Sequence, residues 1–413
     1  MSVKFGEKLR HARQQQRMTQ AQLGNGKYST SYVSLLETGS REPTAEIITE
    51  LSTRLGIERD VMEAWNTPVT PDEAEFVLLE HRVRASLRAH DYGDSAAVAK
   101  EAAAIAHAQK NSSAWWNMTF VRAEALRELG EVDEFLSVAE EVLAHPLTDE
   151  SPALTVRAHT LVSHAQLAAG RLHIAVDHAL RATDHAHAEL PSSSLIALSA
   201  QFALVASLTE TGQLDKAWAA CLDLNEALDG DVPAQTAGSA HWTIGNVAFR
   251  RQDVMEGLRH HDLAAQLLRP ASDIELWTRF NKASASARLT AGVVAPATLA
   301  CIERAEVAQS VIGAPGTEGL ELRLIRARWD QVNGMPAEAL EALAEVDLRA
   351  DELPDPLRGE ASLLTARCLL ALARSEEALE HLSSARDYFG RAGAGDRAML
   401  AAELATQIRS TPR

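Results

Sequence analysis

The chain has 413 residues, 46% of them hydrophobic and 23% charged, and a net charge of −17. That length accommodates two or three ordinary domains or one extended repeat array. The three cysteines form no CxxC pair and no apolar run reaches 18 residues, which argues against a disulfide framework, a cysteine-based zinc site and a membrane-spanning helix. The polar N-terminus argues against a signal peptide, so we expect a cytoplasmic protein.

The N-terminal part of the chain predicts two short helices joined by a tight turn. Thr19 is suited to cap the first helix, with Gln22 completing a capping box. Gly24-Asn25-Gly26 then breaks that helix, because Gly and Asn tolerate the left-handed backbone of a sharp turn. Ser29 or Thr30 caps the second helix. The segment therefore predicts a helix, a turn and a helix.

Apolar residues at helical spacing surround this pair of helices and predict a compact helical domain over residues 1–66. The residues expected in its core are Phe5, Leu9, Ala12, Val33, Leu36, Ile47, Ile48, Leu51 and Leu55.

This pattern resembles the lambda-repressor-like (Cro, or XRE) helix-turn-helix family over about residues 5–57. The resemblance rests on Thr19-Gln20, the Ser-rich start of the second helix, Leu36-Glu37-Thr38-Gly39 and Arg41-Glu42-Pro43. In the family the second helix enters the major groove of double-stranded DNA. The DNA contacts that the resemblance implies here are Gln20, Lys27, Ser29, Thr30, Ser31, Tyr32, Ser34 and Arg41. Because the helix has few basic side chains, we expect hydroxyl, aromatic and thymine-methyl contacts rather than bidentate arginine contacts to guanine.

The charge is unevenly distributed along the chain. Residues 1–41 carry a net charge of +5, residues 42–66 carry −4, and residues 67–413 carry −18. Positive charge is thus confined to the end that is expected to approach phosphates, and the remainder should repel DNA.

Two prolines make residues 67–72 a short linker, and residues 73–413 predict helical repeats. Helix-breaking positions spaced 37 to 42 residues apart recur at Gly93, Gly130, Gly170, Gly212, Gln252, Gly292, Gly334 and Ala373. Five residues after each break stand Val98, Phe135, Ala175, Ala217, Gly257, Ala297, Ala339 and Ala378. These mostly small residues predict closely packed antiparallel helices that stack unit on unit.

The turns resemble those of the tetratricopeptide (TPR) repeat, as in Gly212-Gln213-Leu214-Asp215-Lys216-Ala217. The resemblance covers about residues 73–409. The fold class expected is therefore all-α: a helix-turn-helix domain followed by an α-solenoid of TPR-like hairpins, closed by a capping helix at Asp396–Ile408. This layout resembles the RRNPP class of peptide-responsive bacterial regulators. The resemblance implies that the repeats bind a short signalling peptide and mediate homodimerisation.

In such repeats the first helix of each pair lines the groove, and counting back from each turn gives the expected inward positions. The ligand-groove residues predicted in this way are Asn117, Phe120, Arg157, His164, Phe202, Trp242, Asn246, Arg250, Arg279 and Lys282. Amide groups suit an extended peptide backbone, cationic groups suit a carboxylate, and aromatic rings provide apolar pockets. The alternative is that the aromatic residues belong to the core and the charges face solvent.

Other functions have less support in the sequence. Histidines are frequent between His159 and His187, but their spacing does not predict a metal site, and no cofactor is expected. Walker, dinucleotide-loop, HExxH and GxSxG signatures are missing, so we expect no enzyme. The rival interpretation is a TPR scaffold that binds a partner protein, with an N-terminal module that does not act on DNA.

Overall fold

The computed structural model describes residues 3–65, 71–313 and 317–410, which form 22 α-helices, two short 3-10 helices and no strand. The prediction of an all-α chain is therefore confirmed. The structure divides into two compact units, Met1–Glu131 and Val132–Arg413.

The first unit contains eight helices among the described residues. They are α1 (Val3–Gln15), α2 (Gln20–Gly24), α3 (Thr30–Glu37), α4 (Ala45–Leu55), α5 (Arg59–Trp65), α6 (Pro71–Arg88), α7 (Tyr92–Ala108) and α8 (Ser112–Leu129).

Local signals in the sequence set the ends of the first helices. Thr19 caps α2 in a complete capping box with Gln22, and α2 ends at Asn25, whose φ of 47° lies in the left-handed region. Ser29, rather than Thr30, caps α3, since its side chain accepts a hydrogen bond from the Tyr32 amide. All the apolar residues predicted for this core are buried, and Leu23 and Met62 join them.

Gly6 permits the close contact between α1 and α3. A Cβ at this position would lie 2.5 Å from the carbonyl oxygen of Glu37 and 2.6 Å from that of Leu36. Only glycine fits such an approach of two backbones. The helical pattern of the sequence gives no indication of this requirement.

The boundary between the helix-turn-helix domain and the repeats differs in part from the prediction. Of the predicted linker 67–72, residues 67–70 lie outside the described residues, while Pro71 and Asp72 begin α6. Proline is compatible with the first turn of a helix, where its missing amide has no partner to lose. Since α7 packs against both α6 and α8, these helices fall in the first compact unit.

The prediction that the first turn lies at Gly93 is wrong. Gly93 lies inside α7, and the left-handed residue is His90, with φ of 56°. Asp91 caps α7 by accepting a hydrogen bond from the Asp94 amide, so the helix begins before Gly93.

The second unit contains fourteen helices among the described residues. They are α9 (Val132–Ala144), α10 (Pro152–Ala168), α11 (Leu172–Glu189), α12 (Leu195–Glu210), α13 (Leu214–Ala227), α14 (Ala234–Arg250), α15 (Val254–Leu267), α16 (Ile274–Thr290), α17 (Pro296–Ile312), α18 (Thr317–Val332), α19 (Pro336–Leu348), α20 (Asp355–Ala371), α21 (Ser375–Arg391) and α22 (Gly395–Ser410). Successive helices pack in pairs, and the even-numbered helices from α10 to α20 also pack against one another. The predicted solenoid of helical hairpins and its closing helix are therefore confirmed.

The remaining predicted turn positions are confirmed, since each has a positive φ. These are Gly130, Gly170, Gly212, Gln252, Gly292, Gly334 and Ala373. Two of them, Gln252 at 66° and Ala373 at 59°, hold a backbone conformation that L residues rarely adopt.

Small residues allow α14 and α15 to pack closely. A Cβ on Gly245 would lie 2.3 Å from a ring carbon of His261, and a Cβ on Gly257 would lie 2.8 Å from the ring of Phe249. The predicted small position Ala297, by contrast, is exposed, and the neighbouring Thr298 is fully buried in its place. Pro296 begins α17 and places the buried face of that helix one residue later than predicted.

Candidate nucleic-acid interface and ligand groove

Helix α3 turns one face to the core and the other to solvent. Val33 and Leu36 are both 0% exposed and belong to the N-terminal hydrophobic core. On the opposite face, Thr30 and Ser31 are exposed, and Leu35 keeps 42% of its surface accessible. The helix therefore presents hydroxyl groups and one aliphatic side chain to solvent.

Other predicted DNA contacts, on α3 and next to it, are partly buried or already make hydrogen bonds within the domain. The Ser29 hydroxyl accepts a hydrogen bond from the Tyr32 amide at 3.1 Å as the helix cap. Ser34 is half-buried. Gln20 donates to the carboxylate of Glu37 at 2.8 Å, which ties the start of α2 to the end of α3. These residues therefore position α3 in addition to any contact they make with a ligand.

Four planar side chains stack along one side of α3. The rings of Tyr28 and Tyr32 are stacked with centroids 5.5 Å apart. The guanidinium of Arg41 lies 4.6 Å from the Tyr32 ring centroid, and that of Arg54 lies 5.9 Å from the Tyr28 centroid. Such cation–π contacts fix the orientation of the Tyr32 ring and hold Arg41 beside α3.

Some of the basic residues at this end of the chain are neutralised within the domain. Lys27 forms an ion pair with Glu50 at 2.7 Å, and Arg54 pairs with the same carboxylate at 2.5 Å. Hydrogen bonds from Lys27 and Arg54 hold the pKa of Glu50 below its ordinary value. Lys27 is exposed, but a phosphate would have to compete with Glu50 for it.

In the second unit, the faces of α12, α14 and α16 enclose a pocket of about 940 Å³. Its lining includes two of the predicted groove residues, Asn246 and Arg250, together with Thr243 and Ser286. Arg250 donates to Glu210 at 2.8 Å across the pocket edge. The polar groups and small side chains of this pocket suit an extended chain with hydrogen-bonding backbone groups.

The aromatic residues predicted for the groove mostly lie in packed surroundings. Phe120, on α8 in the first unit, is only 6% exposed and stacks on Trp116 with centroids 5.1 Å apart. Phe202 packs against the core of the second unit, and Trp242 lies edge-on to Phe280. The interpretation of these rings as core residues therefore has structural support.

The remaining predicted groove residues are dispersed. Asn117 is exposed on α8 in the first unit, and Arg157 and Arg279 are exposed in the second. His164 is half-buried on α10. Lys282 forms an ion pair with Glu321 at 2.8 Å. None of these residues belongs to the lining of the pocket that contains Asn246 and Arg250.

Only some of the predicted inward positions line the pocket. Positions six and two residues before the turns at Gly212, Gln252 and Gly292 line the pocket, as Asn246 and Arg250 do before Gln252. Positions ten residues before the turn, such as Trp242, do not line it. Extending the same count to the last two turns reaches Arg328 and Arg367, which line a second pocket and were missed.

Comparisons with known proteins give one result for the N-terminal segment and another for most of the chain. Residues 4–65 match a family model described as a helix-turn-helix domain. The N-terminal segment is a helix-turn-helix domain. No curated protein sequence matches the chain. Across the described helices, none combines the length and apolarity needed to cross a bilayer.

Several solved structures share the helical-repeat fold. The apo form of the quorum sensor NprR from B. thuringiensis has 10% identity and a TM-score of 0.50, with 89% of this chain and 95% of that chain covered. A Rap protein complexed with Competence and Sporulation Factor has 11% identity and a TM-score of 0.50, with 82% and 98% covered. PlcR of Bacillus thuringiensis, with the peptide PapR7 and DNA, is less similar, at 12% identity, a TM-score of 0.40, and 64% and 94% covered. For the two structures with a TM-score of 0.50, identities this low establish only a shared fold.

Proposed function

We propose that this chain is a non-enzymatic, sequence-specific DNA-binding regulator of transcription that acts as a homodimer. The observation that carries the proposal is the solvent-facing, hydroxyl-lined start of α3, whose opposite face is fixed in the core. In a helix-turn-helix domain this part of the second helix contacts base edges. Thr30, Ser31 and Leu35 supply hydroxyl donors and an aliphatic contact for a thymine methyl.

A gel shift with paired glutamate substitutions tests DNA binding. Thr30→Glu and Ser31→Glu place a negative charge on the exposed face of α3, where it repels phosphates. A carboxylate in the first turn of a helix is electrostatically favourable, so Thr30→Glu leaves the fold intact. Thr53→Glu, on the exposed face of α4, is the matched control.

The native chain and the control are expected to shift fragments of the neighbouring promoter against competitor DNA, while the α3 variants lose the shift. Loss of binding in Thr53→Glu alone, or full binding by both α3 variants, would place the DNA contacts elsewhere.

We further propose that the groove of the second unit binds a ligand, for which the RRNPP resemblance implies a short signalling peptide. The supporting observation is the pocket of about 940 Å³ with Asn246, Thr243 and Ser286 on its walls. The similar structures include one named as a quorum sensor and one complexed with a factor, in each case a property of that protein. Native mass spectrometry of protein purified from its own cells tests this proposal. A bound molecule that is lost in the Asn246→Leu variant would support ligand binding, and an empty groove in the native protein would contradict it.

The alternative function is a scaffold that binds a partner protein through the repeats. The observation that favours it is the composition of α3, which contains no lysine or arginine between Thr30 and Glu37. The glutamate variants also separate these functions, because a scaffold retains its partner and shows no promoter binding in any form.

A further inference from the structure

A second pocket continues the groove beyond α16. It has a volume of about 480 Å³ and shares Ser286 and Thr290 with the first pocket. Three arginines line it, one from each of α18, α20 and α22: Arg328, Arg367 and Arg397. The pocket is therefore locally cationic, although residues 67–413 carry a net charge of −18.

The two glutamates of this pocket already have partners. Glu321 accepts a hydrogen bond from Lys282 at 2.8 Å. Glu360 forms an ion pair with Arg397, whose guanidinium also lies 5.2 Å from the Phe389 ring centroid. Each carboxylate is therefore already paired with another cation and does not act as a full counterion for Arg328 or Arg367.

Arg328 and Arg367 have no carboxylate within ion-pair distance among the described residues. Arg328 donates only to the Thr290 hydroxyl, at 3.4 Å. Burial and the nearby charge of Arg367 lower the pKa of Arg328, and burial and the charge of Arg328 likewise lower the pKa of Arg397. Arg328 is half-buried, whereas Arg367 and Arg397 are exposed. Guanidinium groups that lie close enough to repel one another are stabilised by an anion placed between them.

Much of the remaining lining of this pocket is aliphatic. This part of the lining, the leucine wall, is formed by Leu289, Leu324, Ile325, Leu357, Leu363 and Leu364. A group that fits the pocket therefore combines an oxyanion with an aliphatic portion.

We propose that Arg328 and Arg367 bind the oxyanion of the groove's ligand, a carboxylate or a phosphate, while an adjoining aliphatic group packs on the leucine wall. This inference rests on the proposed ligand-binding role of the groove. For a peptide it sets the direction of binding: the C-terminal carboxylate lies at Arg328 and Arg367, and the backbone extends towards Asn246.

The test measures binding of two matched tripeptides to the purified full chain by calorimetry or saturation-transfer NMR. The probes are N-acetyl-Ala-Ala-Leu with a free carboxylate and the same peptide as its C-terminal amide, with inorganic phosphate as a competitor. The variants are Arg328→Met and Arg367→Met, which keep an unbranched apolar stem and remove the charged guanidinium. Arg386→Met, at an exposed arginine on α21 paired with Asp387, is the control.

The native chain and Arg386→Met are expected to bind the acid at least about tenfold more tightly than the amide. Each pocket variant should lose that preference while its melting temperature stays unchanged or rises, since a repulsive charge has been removed. Displacement of the acid by phosphate supports a general oxyanion site, and phosphate binding without peptide binding assigns the site to a phosphate group.

Equal binding of acid and amide, a preference that survives in both pocket variants, or no binding of any probe would overturn the assignment. Because no DNA enters this experiment, its failure is distinguishable from a failure of promoter binding, which the gel shift measures separately.

Discussion

The carboxylate of Glu37 joins three helices of the N-terminal domain. Arg13, on α1, donates to it from Nε at 2.5 Å and from Nη2 at 3.0 Å, and Gln20, on α2, donates at 2.8 Å. Burial raises the pKa of Glu37, but the hydrogen bonds from Arg13 and Gln20 outweigh it and leave that pKa below its ordinary value. The ionised carboxylate is therefore the form that the fold stabilises.

Glu37→Gln is expected to destabilise the helix-turn-helix domain by about 2–4 kcal/mol, because it leaves the charge of Arg13 buried without a counterion. Thermal unfolding, together with hydrogen exchange of α1 to α3 amides, measures the change. Since the folded pKa is lowered, the native stabilisation is present above the unfolded pKa of about 4.5 and is lost as the pH falls through the folded value.

Glu63→Gln is the matched control for this prediction, because Glu63 forms an exposed pair with Arg59 on α5. Exposed ion pairs of this kind contribute about 0–1 kcal/mol. A loss in Glu63→Gln as large as that in Glu37→Gln would contradict the special role of the buried pair.

At the scale of single elements, the turns between paired helices differ in strain. Gly212 and Gln252 occupy equivalent turns, with φ of 72° and 66°. Glycine takes this conformation freely, whereas glutamine pays a steric cost. Gln252→Gly should therefore stabilise the second unit by about 0.5–1 kcal/mol, and Gly212→Ala should destabilise it by about 1 kcal/mol.

Urea unfolding of the two variants measures these changes. A Cβ on Gly212 would meet nothing within 4 Å, so any loss in Gly212→Ala reports the backbone conformation alone. Gln252→Ala is the control, since it shortens the side chain and leaves the positive φ in place. Stabilisation of equal size in Gln252→Ala would contradict the assignment of the effect to strain.

The sequence predicted the helices and most turns because those features depend on neighbouring residues. Thr19 and Gln22 form their capping box within one helical turn, and the left-handed turns follow from glycine at regular spacing. The contact that requires Gly6 joins residues far apart in sequence, so no local pattern reveals it. At Gly93, the cap formed by Asp91 determined the start of the helix instead.

The groove was predicted less completely because its lining depends on how neighbouring hairpins rotate against each other. Of the three residues predicted on α14, Asn246 and Arg250 line the pocket, whereas Trp242, one helical turn before Asn246, does not. The ion pairs of the charged residues could not be predicted either, because the two partners are distant in sequence. Lys27 pairs with Glu50, which is 23 residues away.

Two pairs of helices share a contact between histidines. The Nδ1 atoms of His159, on α10, and His178, on α11, lie 3.0 Å apart, and those of His241, on α14, and His260, on α15, lie 3.0 Å apart. Such a hydrogen bond requires one nitrogen to donate and the other to accept, so at least one ring of each pair is neutral. Burial lowers the pKa of His159 and of His260 to about 4.

The second unit should therefore lose stability in mild acid. Because the folded pKa values of about 4 lie below the unfolded value of about 6.5, the contribution is complete above pH 6.5 and is lost as the pH falls to 4. Each histidine contributes at most about 1.4 kcal/mol per pH unit in that window. Urea unfolding between pH 7.5 and 4.5 measures the slope.

His260→Gln should reduce this slope, whereas His173→Gln, at an exposed position on α11, should leave it unchanged. A native slope near zero, or equal slopes in the native chain and His260→Gln, would contradict the role of the buried rings.

At the scale of the whole molecule, charge separates the two parts of the chain. Residues 67–413 carry −18 and should repel DNA, so phosphate contacts fall to the exposed cations of the N-terminal domain. Those among the described residues without a carboxylate partner are Lys8, Arg10, Arg17 and Arg41. In the proposed dimer two such sets approach DNA together, on half-sites one helical turn apart.

Operator binding should therefore weaken with salt, with a slope of log K against log salt concentration between about −4 and −7 for the dimer. Arg41→Met is expected to reduce the magnitude of the slope by about 2, one unit for each domain, because Arg41 is held beside α3 by Tyr32. Lys27→Met should change it less, since Glu50 already neutralises that ammonium group. Titrations by fluorescence anisotropy between 50 and 200 mM salt, on the promoter fragment found by gel shift, measure all three slopes.

An unchanged slope in Arg41→Met, with a large loss in Lys27→Met, would mean that DNA displaces Glu50 and that the contacts lie on the α2–α4 side of the domain.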